Sequence, residues 1–152
     1  APSRGLGDVY KRQNGDFIAL EKAHLNKGWK LVDNWHPDNK AGKRNGFVDV
    51  PMLEATRPGD RLTLDFRGKA IGIFCVSGPS AGILEYSVDG APFKELDTFT
   101  EWSHNLYIPW VYMLETELKD TDHKLVLRIS KKKNPASQGT ECQIRNFVVN
   151  GR

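Results

Sequence analysis

Short apolar runs that alternate with turn-forming residues fill this sequence, and this pattern constrains the fold more than any other feature. Arg61–Phe66 has the clearest period of two, with its apolar side chains on one face and polar side chains on the other. Ile83–Val88 alternates in the same way and leads into Asp89-Gly90, a strong hairpin signal. Ala70–Val76 is apolar at nearly every position, which is typical of a strand covered on both faces.

About nine or ten such runs occur, separated by turn signals roughly every 8–12 residues. The predicted strands are Phe17–Leu20, Gly28–Trp35, Gly46–Leu53, Arg61–Phe66, Ala70–Val76, Ile83–Val88, Phe93–Leu96, Lys124–Ser130 and Glu141–Asn150. No long stretch has a helical period, and the best helical candidate, Val111–Leu118, is short. The pattern predicts an all-β fold, an antiparallel β-sandwich with jelly-roll topology.

The composition favours a single soluble domain over residues 14–152. The chain has 152 residues, of which 39% are hydrophobic, so it can form a core without metal or disulfide support. Its net charge is +3, but Ala1–Gln13 alone carries three cations against one carboxylate. No long Lys/Arg stripe follows, so nucleic acid is not an expected partner.

Ala1–Gln13 has little apolar periodicity and differs from the rest of the chain. It resembles a translated linker or adaptor stretch found at the ends of reading frames assembled from environmental DNA. A disordered native tail is the alternative. In either case we expect it to take no part in the folded domain.

The two cysteines, Cys75 and Cys142, lie within apolar β-like runs, which favours two buried thiols over a disulfide. No apolar run is long enough to span a membrane, and no signal peptide is visible. A membrane partner is therefore not expected.

The unusual segment is Asp97–Leu114, which interleaves large aromatic and polar side chains and contains Pro109. Proline argues against both a helix and a central strand. Flat aromatic rings stack on the apolar faces of sugars, while neighbouring polar groups bond the hydroxyls. The segment therefore predicts a carbohydrate-binding surface, with these candidate residues: Trp102, His104, Asn105, Tyr107 and Trp110. Trp102 is favoured for ligand contact because its neighbours are polar, and Trp110 is favoured as a core anchor.

A second aromatic and polar group combines Trp35 and His36 with Arg44 in the following polar loop. Burial in the core is the alternative for Trp29, Trp35 and Trp110, since tryptophan is highly buried on average. No cofactor is expected. A structural calcium ion is the alternative left open, because the oxygen-bearing side chains of this region suit calcium. These are Asp33, Asn34, Asp38 and Asn39.

Sequence motifs for catalysis are missing. The chain has no GxSxG elbow, no Gly-rich phosphate loop before a helix and no HExxH. Its four histidines are scattered without paired metal spacing. An enzyme is therefore not expected, although catalytic groups that assemble only in the fold leave no such motif.

Several segments together resemble the β-sandwich module attached to bacterial carbohydrate esterases of the SGNH/GDSL type. From Gly28 to Asn150 they read GWKLVDNWHP, KRNGFVDVPMLEA, PGDRLTLDFRGKAIGIFCVSGPSAGILEYSVDG, LDTFTEWSHNLYIPWVYML, HKLVLRIS and CQIRNFVVN. The resemblance implies a jelly-roll accessory module working beside a deacetylating domain on plant polysaccharide. It also implies an extracellular or periplasmic bacterial location. The esterase's Gly-Asp-Ser block and Asp-x-x-His pair have no counterpart here, so no catalytic role carries over.

Three functions remain, in order of preference. The first is a non-catalytic module that binds a plant cell-wall polysaccharide such as xylan, another hemicellulose or pectin. The second is a structural module that completes the cleft of an SGNH-type acetylesterase. The third is a small carbohydrate-active enzyme with an unrecognised site.

Overall fold

The computed structural model describes residues 15–36, 50–104 and 106–150. Eleven strands and one 3-10 turn, Leu20–Lys22, make up its regular structure in this part of the chain. The strands are β1 Gly15–Ile18, β2 His24–Lys27, β3 Lys30–Trp35, β4 Val50–Ala55, β5 Arg61–Gly68, β6 Ala70–Ser77, β7 Ile83–Val88, β8 Lys94–Asp97, β9 Ile108–Glu115, β10 Thr121–Ile129 and β11 Cys142–Asn150.

Two antiparallel sheets face each other and confirm the predicted sandwich. One has the order β3-β4-β11-β6-β9, with β1 paired to the far end of β11, and the other has the order β2-β5-β10-β7-β8. Strands β4 to β11 therefore alternate between the sheets as 4-11-6-9 and 5-10-7-8, which is the jelly-roll arrangement of eight strands. The edge strands of the two sheets are β3 and β9 in one and β2 and β8 in the other.

Alternation along the strands builds the core between the sheets. In β5, Leu62, Leu64 and Phe66 point inward, while the intervening residues point to solvent or are only partly covered. Every residue of β6 is buried, because its neighbours β11 and β9 flank it and both of its faces are covered. Burying side chains of this size stabilises the fold by roughly 1.5–3 kcal/mol each before entropy is subtracted.

A second apolar cluster lies on the outer face of the six-stranded sheet. We call it the outer cluster, and its buried members are Trp35, Met52, Phe74, Val76, Tyr107 and Val148. The other outer face, on the five-stranded sheet, carries mostly charged and polar side chains. The two surfaces of the sandwich are therefore chemically different.

Local turn chemistry agrees with the sequence at the hairpin between β7 and β8. Asp89 and Gly90 have φ angles of 55° and 77°, as a two-residue turn with left-handed residues requires. Cys75 and Cys142 are both buried free thiols, as predicted. Burial raises the pKa of the Cys75 thiol to about 12, so it stays protonated at neutral pH.

Val111–Leu118, the best but short helical candidate, forms no helix. Ile108–Glu115 is instead a strand, β9, paired along its length with β6. Pro109 is compatible with β9 because β9 is an edge strand, where the N–H groups on the outer side make no ladder hydrogen bond. Strand β2 was not predicted, since its four residues are all exposed and show no alternation.

Ala1–Gln13 lies outside the described residues, so its predicted separation from the domain stays a prediction. The described residues contain no helix long and apolar enough to cross a membrane.

Candidate functional site

The best-defined part of the aromatic segment is a turn at Thr100–Ser103, which follows β8. The Ser103 amide donates to the Thr100 carbonyl at 3.0 Å and closes the turn. Just before it, Thr98 is buried, and both its amide and its hydroxyl donate to the Gly82 carbonyl, at 3.1 and 2.6 Å. The chain is therefore tied to the loop before β7 at the point where it leaves the sheet.

Buried hydroxyl groups hold this turn in place. The Ser77 and Ser103 side chains are fully buried, with their oxygens 2.7 Å apart. Ser77 donates to the Thr98 carbonyl, so the Ser103 hydroxyl must donate to Ser77. Ser103 in turn accepts from the Thr100 amide at 3.1 Å and lies 2.8 Å from its hydroxyl. Since a buried hydroxyl without partners is costly, this chain of bonds selects one conformation of the turn.

The turn presents Trp102 to solvent. Its side chain is 60% exposed, the most exposed of the large hydrophobic residues described. His104 is also exposed, and its ring meets the edge of the buried Phe99 ring at a centroid distance of 5.2 Å. Asn105, the next predicted contact residue, lies outside the described residues. A large ring on a fixed turn has little conformational entropy left to lose when a ligand covers it.

Trp110 lies on β9 and is 38% exposed, so the structure corrects its predicted role as a core anchor. Its partner on β6 is Cys75, a residue of the central core, so the two side chains share the inner face of the sheet. The described part of the chain pairs β9 with β6 alone, and β8, the facing edge strand, has only four residues. Trp110 therefore faces the open side of the sandwich.

The two edge strands β8 and β9 are joined across this open side by an ion pair. The Lys94 ammonium donates to a Glu115 carboxylate oxygen at 2.8 Å. The Tyr112 ring lies 6.4 Å from the Trp110 ring, and burial raises the pKa of the Tyr112 phenol. We call this region the aromatic edge, and its members are Phe99, Trp102, His104, Trp110 and Tyr112. Trp102, His104 and Trp110 are its exposed rings, while Phe99 packs against His104 and Tyr112 lies beside Trp110.

The other two predicted aromatic contacts, Trp35 and Tyr107, are buried in the outer cluster instead. Trp35 is only 3% exposed, and its ring meets the Tyr107 ring edge-on at 5.4 Å. Its indole N–H donates to a Glu54 carboxylate oxygen at 3.0 Å, and Gln143 donates to the same oxygen at 2.9 Å. Trp35 therefore packs as a core residue whose polar atom is satisfied. Arg44, predicted beside it, lies outside the described residues.

A histidine–carboxylate pair occurs elsewhere, in a cleft of about 620 Å³ lined by Asp65, Phe66, Arg67, Asp89, Asp122, His123 and Lys124. His123 Nδ1 lies 2.5 Å from an Asp89 oxygen, and Nε2 lies 2.7 Å from the Lys119 carbonyl. A carbonyl only accepts, so both ring nitrogens act as donors when the ring is protonated. Among the described residues, no serine, threonine or cysteine lines the cleft. Both ring nitrogens are therefore engaged, and the pair links β10 to the turn that follows β7.

The described residues contain no group of three His, Cys, Asp or Glu side chains placed to hold a metal. Asp33 and Asn34 lie on β3, while Asp38 and Asn39 fall outside the described residues. The calcium site therefore stays an untested alternative.

Three solved structures that are similar to this chain belong to larger proteins. A two-domain esterase active on acetylated mannans, crystallised with mannopentaose, matches at a TM-score of 0.67 and 15% identity, covering 91% of this chain and 36% of that chain. A family two carbohydrate esterase from Cellvibrio japonicus matches at 0.53 and 12%, covering 91% and 34%. An exo-β-1,3-galactanase from Phanerochaete chrysosporium, crystallised with β-1,3-galactotriose, matches at 0.57 and 11%, covering 89% and 29%.

These likenesses establish the β-sandwich fold. This chain spans about a third of the length of the esterases and less of the galactanase. No family model matches the sequence, and the comparison with curated proteins finds no relative.

Proposed function

We propose that this domain is a non-catalytic carbohydrate-binding module that holds a plant cell-wall polysaccharide at the aromatic edge. The observation that carries the proposal is the 60% exposed Trp102 on a turn fixed by the buried Ser77 and Ser103 hydroxyls. A large exposed ring on a rigid support offers apolar surface whose burial by a ligand is favourable, at little cost in ordering the support. The similar folds that occur in carbohydrate-active proteins support the same proposal.

The binding mechanism follows from the two exposed rings and their polar neighbours. Trp102 and Trp110 stack on pyranose faces, each contributing roughly 0.5–1.5 kcal/mol beyond the area that it buries. His104 bonds hydroxyl groups beside Trp102, and we propose Asn105 for the same role. The Lys94–Glu115 pair borders the edge and offers both a donor and an acceptor. In this proposal Tyr107 and Trp35 support the surface from within the fold, and the module acts outside the cytoplasm, where plant polysaccharide is met.

Affinity electrophoresis on xylan, β-glucan, mannan and pectin tests the proposal, followed by calorimetry with oligosaccharides of the polymer that binds. We expect Trp102→Ala to weaken binding roughly two- to tenfold, and Trp110→Ala to weaken it by a similar factor. Leu25→Ala is the matched control, because Leu25 is 37% exposed and lies on β2, away from β8 and β9. The control should bind like the wild-type protein.

If the protein is folded and binds none of these polymers, the proposal is overturned. Equal losses in Trp102→Ala and Leu25→Ala would also contradict it, since binding would then not depend on the aromatic edge.

A second function is favoured by the length of the similar esterases, of which this chain spans about a third. In this alternative the aromatic edge packs on an SGNH-type catalytic domain and completes its substrate cleft. The isolated chain would then bind no glycan, and Trp102→Ala would weaken association with the catalytic domain. Titration of the chain against a separately produced esterase domain distinguishes the two functions.

A further inference from the structure

The outer face of the five-stranded sheet carries a row of charged residues that crosses all five strands. The register pairs Lys27 of β2 with Arg61 of β5, and Arg61 with Arg128 of β10. Arg128 is then opposite Glu85 of β7, and Glu85 is opposite Glu95 of β8. The row therefore has a cationic half and an acidic half.

The acidic half is neutralised by cations within the protein. Arg128 Nε donates to a Glu85 oxygen at 2.8 Å, and the Lys132 ammonium donates to a Glu95 oxygen at 2.7 Å. In the cationic half, Arg128 is already paired with Glu85. Within the described residues no carboxylate lies within ion-pair distance of Arg61 or of Lys131. The register therefore places the guanidinium groups of Arg61 and Arg128 side by side, and only Arg128 is opposite a carboxylate of the acidic half, Glu85.

Placing like charges directly opposite each other on neighbouring strands is destabilising. The Arg61–Arg128 pair is such a case, and Lys27 extends it on the other side of Arg61. An anion bound between these groups would remove the repulsion. The pair therefore lowers the stability of the free domain in a way that a ligand can reverse.

A cleft of about 540 Å³ lies at this position. It is lined by Gly59, Arg61, Glu85, Arg128, Ile129, Ser130, Lys131 and Lys132. Four cationic side chains face one carboxylate in this lining, a formal charge of +3, as large as that of the whole chain. The Lys27 ammonium lies 4.0 Å from the point that a Cβ on Gly59 would occupy, so a further cation reaches the wall.

We propose that this cleft is a second ligand site, which binds the carboxylate groups of an acidic polysaccharide. That the ligand is a glycan follows from the proposed function. The residues of this site and the surface on which they lie are different from those of the aromatic edge. The planar guanidinium groups of Arg61 and Arg128 match carboxylate geometry and form charge-assisted hydrogen bonds. The lysines Lys27 and Lys131 attract the next uronate along the chain.

Nucleic acid fits the cleft less well. Single-stranded nucleic acid is held by bases stacked on exposed aromatic rings. Phe93 beside the cleft is 38% exposed, but the Arg128 guanidinium occupies one face of its ring, with its carbon 3.6 Å from the centroid. A uronate needs no stacking partner here, because its charge meets the cations directly.

Calorimetry with polygalacturonate tests the site, with fully methyl-esterified polygalacturonan and poly(dT) as comparison polymers. We expect polygalacturonate to bind, the neutral ester to bind at least tenfold more weakly, and affinity to fall as salt increases. Arg61→Gln should weaken polygalacturonate binding roughly tenfold. Its thermal stability should equal or exceed that of the wild-type protein, since one repulsion has been removed.

Arg67→Gln is the matched control. Arg67 lies on the same strand and the same outer face and loses the same charge, but it pairs with Asp122 at 3.5 Å and does not line the cleft. Equal losses in Arg61→Gln and Arg67→Gln would overturn the proposal, and so would poly(dT) binding as tightly as polygalacturonate. Loss of neutral-glycan binding in Trp102→Ala with polygalacturonate binding intact would separate this site from the aromatic edge. Loss of both in Trp102→Ala would contradict a second site.

Discussion

Trp35 and Trp110 lie on the two opposite edge strands of the same sheet, β3 and β9, yet their exposure is the reverse of what their faces suggest. Trp35 is opposite Val50, so it lies on the outer face of the sandwich, and it is buried. Trp110 is opposite Cys75 on the inner face, and it is partly exposed.

The difference arises from what packs against each ring. Trp35 enters the outer cluster, where Met52 and Tyr107 contribute apolar surface and Glu54 accepts its N–H. Trp110 faces the gap between β9 and the four-residue strand β8, which leaves part of its inner face open. A face of a sheet therefore does not decide burial by itself; the length and composition of the neighbouring segments decide it.

The largest expected change in stability in this comparison is for the buried tryptophan, Trp35. Trp35→Ala should lower the free energy of unfolding by about 3–5 kcal/mol, because a large side chain leaves a cavity in a packed cluster. Urea denaturation followed by circular dichroism measures the change. Trp35→Phe, which keeps the ring volume nearer to native and removes the donor to Glu54, should cost about 1 kcal/mol. A loss below 1 kcal/mol for Trp35→Ala would mean that the outer cluster is not a second core.

A smaller loss of stability is expected when the turn that carries the exposed Trp102 loses one of its buried hydroxyl groups. Ser103→Ala removes an acceptor from Thr100 and the donor to Ser77, and should cost about 1–3 kcal/mol. It should also weaken glycan binding, since Trp102 loses its fixed support. Chemical denaturation and calorimetry on the same variant measure both changes. If stability falls but binding is unchanged, the turn does not position Trp102 for its ligand.

Stability should also depend on pH through the His123–Asp89 pair, which belongs to neither aromatic region. The hydrogen bond to Asp89 raises the pKa of His123, and the same bond lowers the pKa of Asp89. The His123 contribution is complete below the unfolded pKa of about 6.5 and is lost as pH rises through the folded pKa. The Asp89 contribution is complete above the unfolded pKa of about 4 and is lost as pH falls through the folded pKa.

The contribution of this pair to thermal stability should therefore be largest between about pH 4 and pH 6.5. His123→Gln should flatten the decline on the alkaline side while leaving glycan binding at the aromatic edge unchanged. Differential scanning calorimetry across this range checks the shape. An identical alkaline decline in His123→Gln and wild-type protein would assign the dependence to other groups.

The smallest effect on stability is expected for Trp102→Ala. A side chain that is largely exposed makes few contacts to lose, so the free energy of unfolding should change by no more than about 0.5 kcal/mol. The same variant should show the largest binding loss of this series. A stability loss comparable to that of Trp35→Ala would remove the contrast between the two aromatic regions.

Much of the fold can be predicted from the sequence because strand alternation and turn chemistry are local. Ile83–Val88 was predicted with its observed bounds, and Asp89-Gly90 forms the expected left-handed turn. Ala70–Val76 forms a strand covered on both faces, as its unbroken apolar composition predicts. Strand β9 was missed because Pro109 weakens the local pattern, and only pairing with β6 makes the segment a strand.

The candidate site was less accessible to sequence reasoning. The segment Asp97–Leu114 could be identified by its composition, and Trp102 could be favoured because polar residues flank it. The residues that hold the turn could not be found, since Ser77 and Ser103 are far apart in the chain and carry no motif. The cationic cleft was missed for the same reason, because Arg61 and Arg128 become neighbours only through strand register.

The sequence by itself determined where most strands and turns form, that the two thiols are buried, and which segment concentrates aromatic residues. Those outcomes depend on neighbouring residues and on average burial preferences. Only the tertiary structure decided that Trp35 is covered, that Trp110 lies at an open edge, and that two arginines stand side by side. The physical reason is that burial and charge environment are set by segments distant in sequence, whose contacts no local pattern encodes.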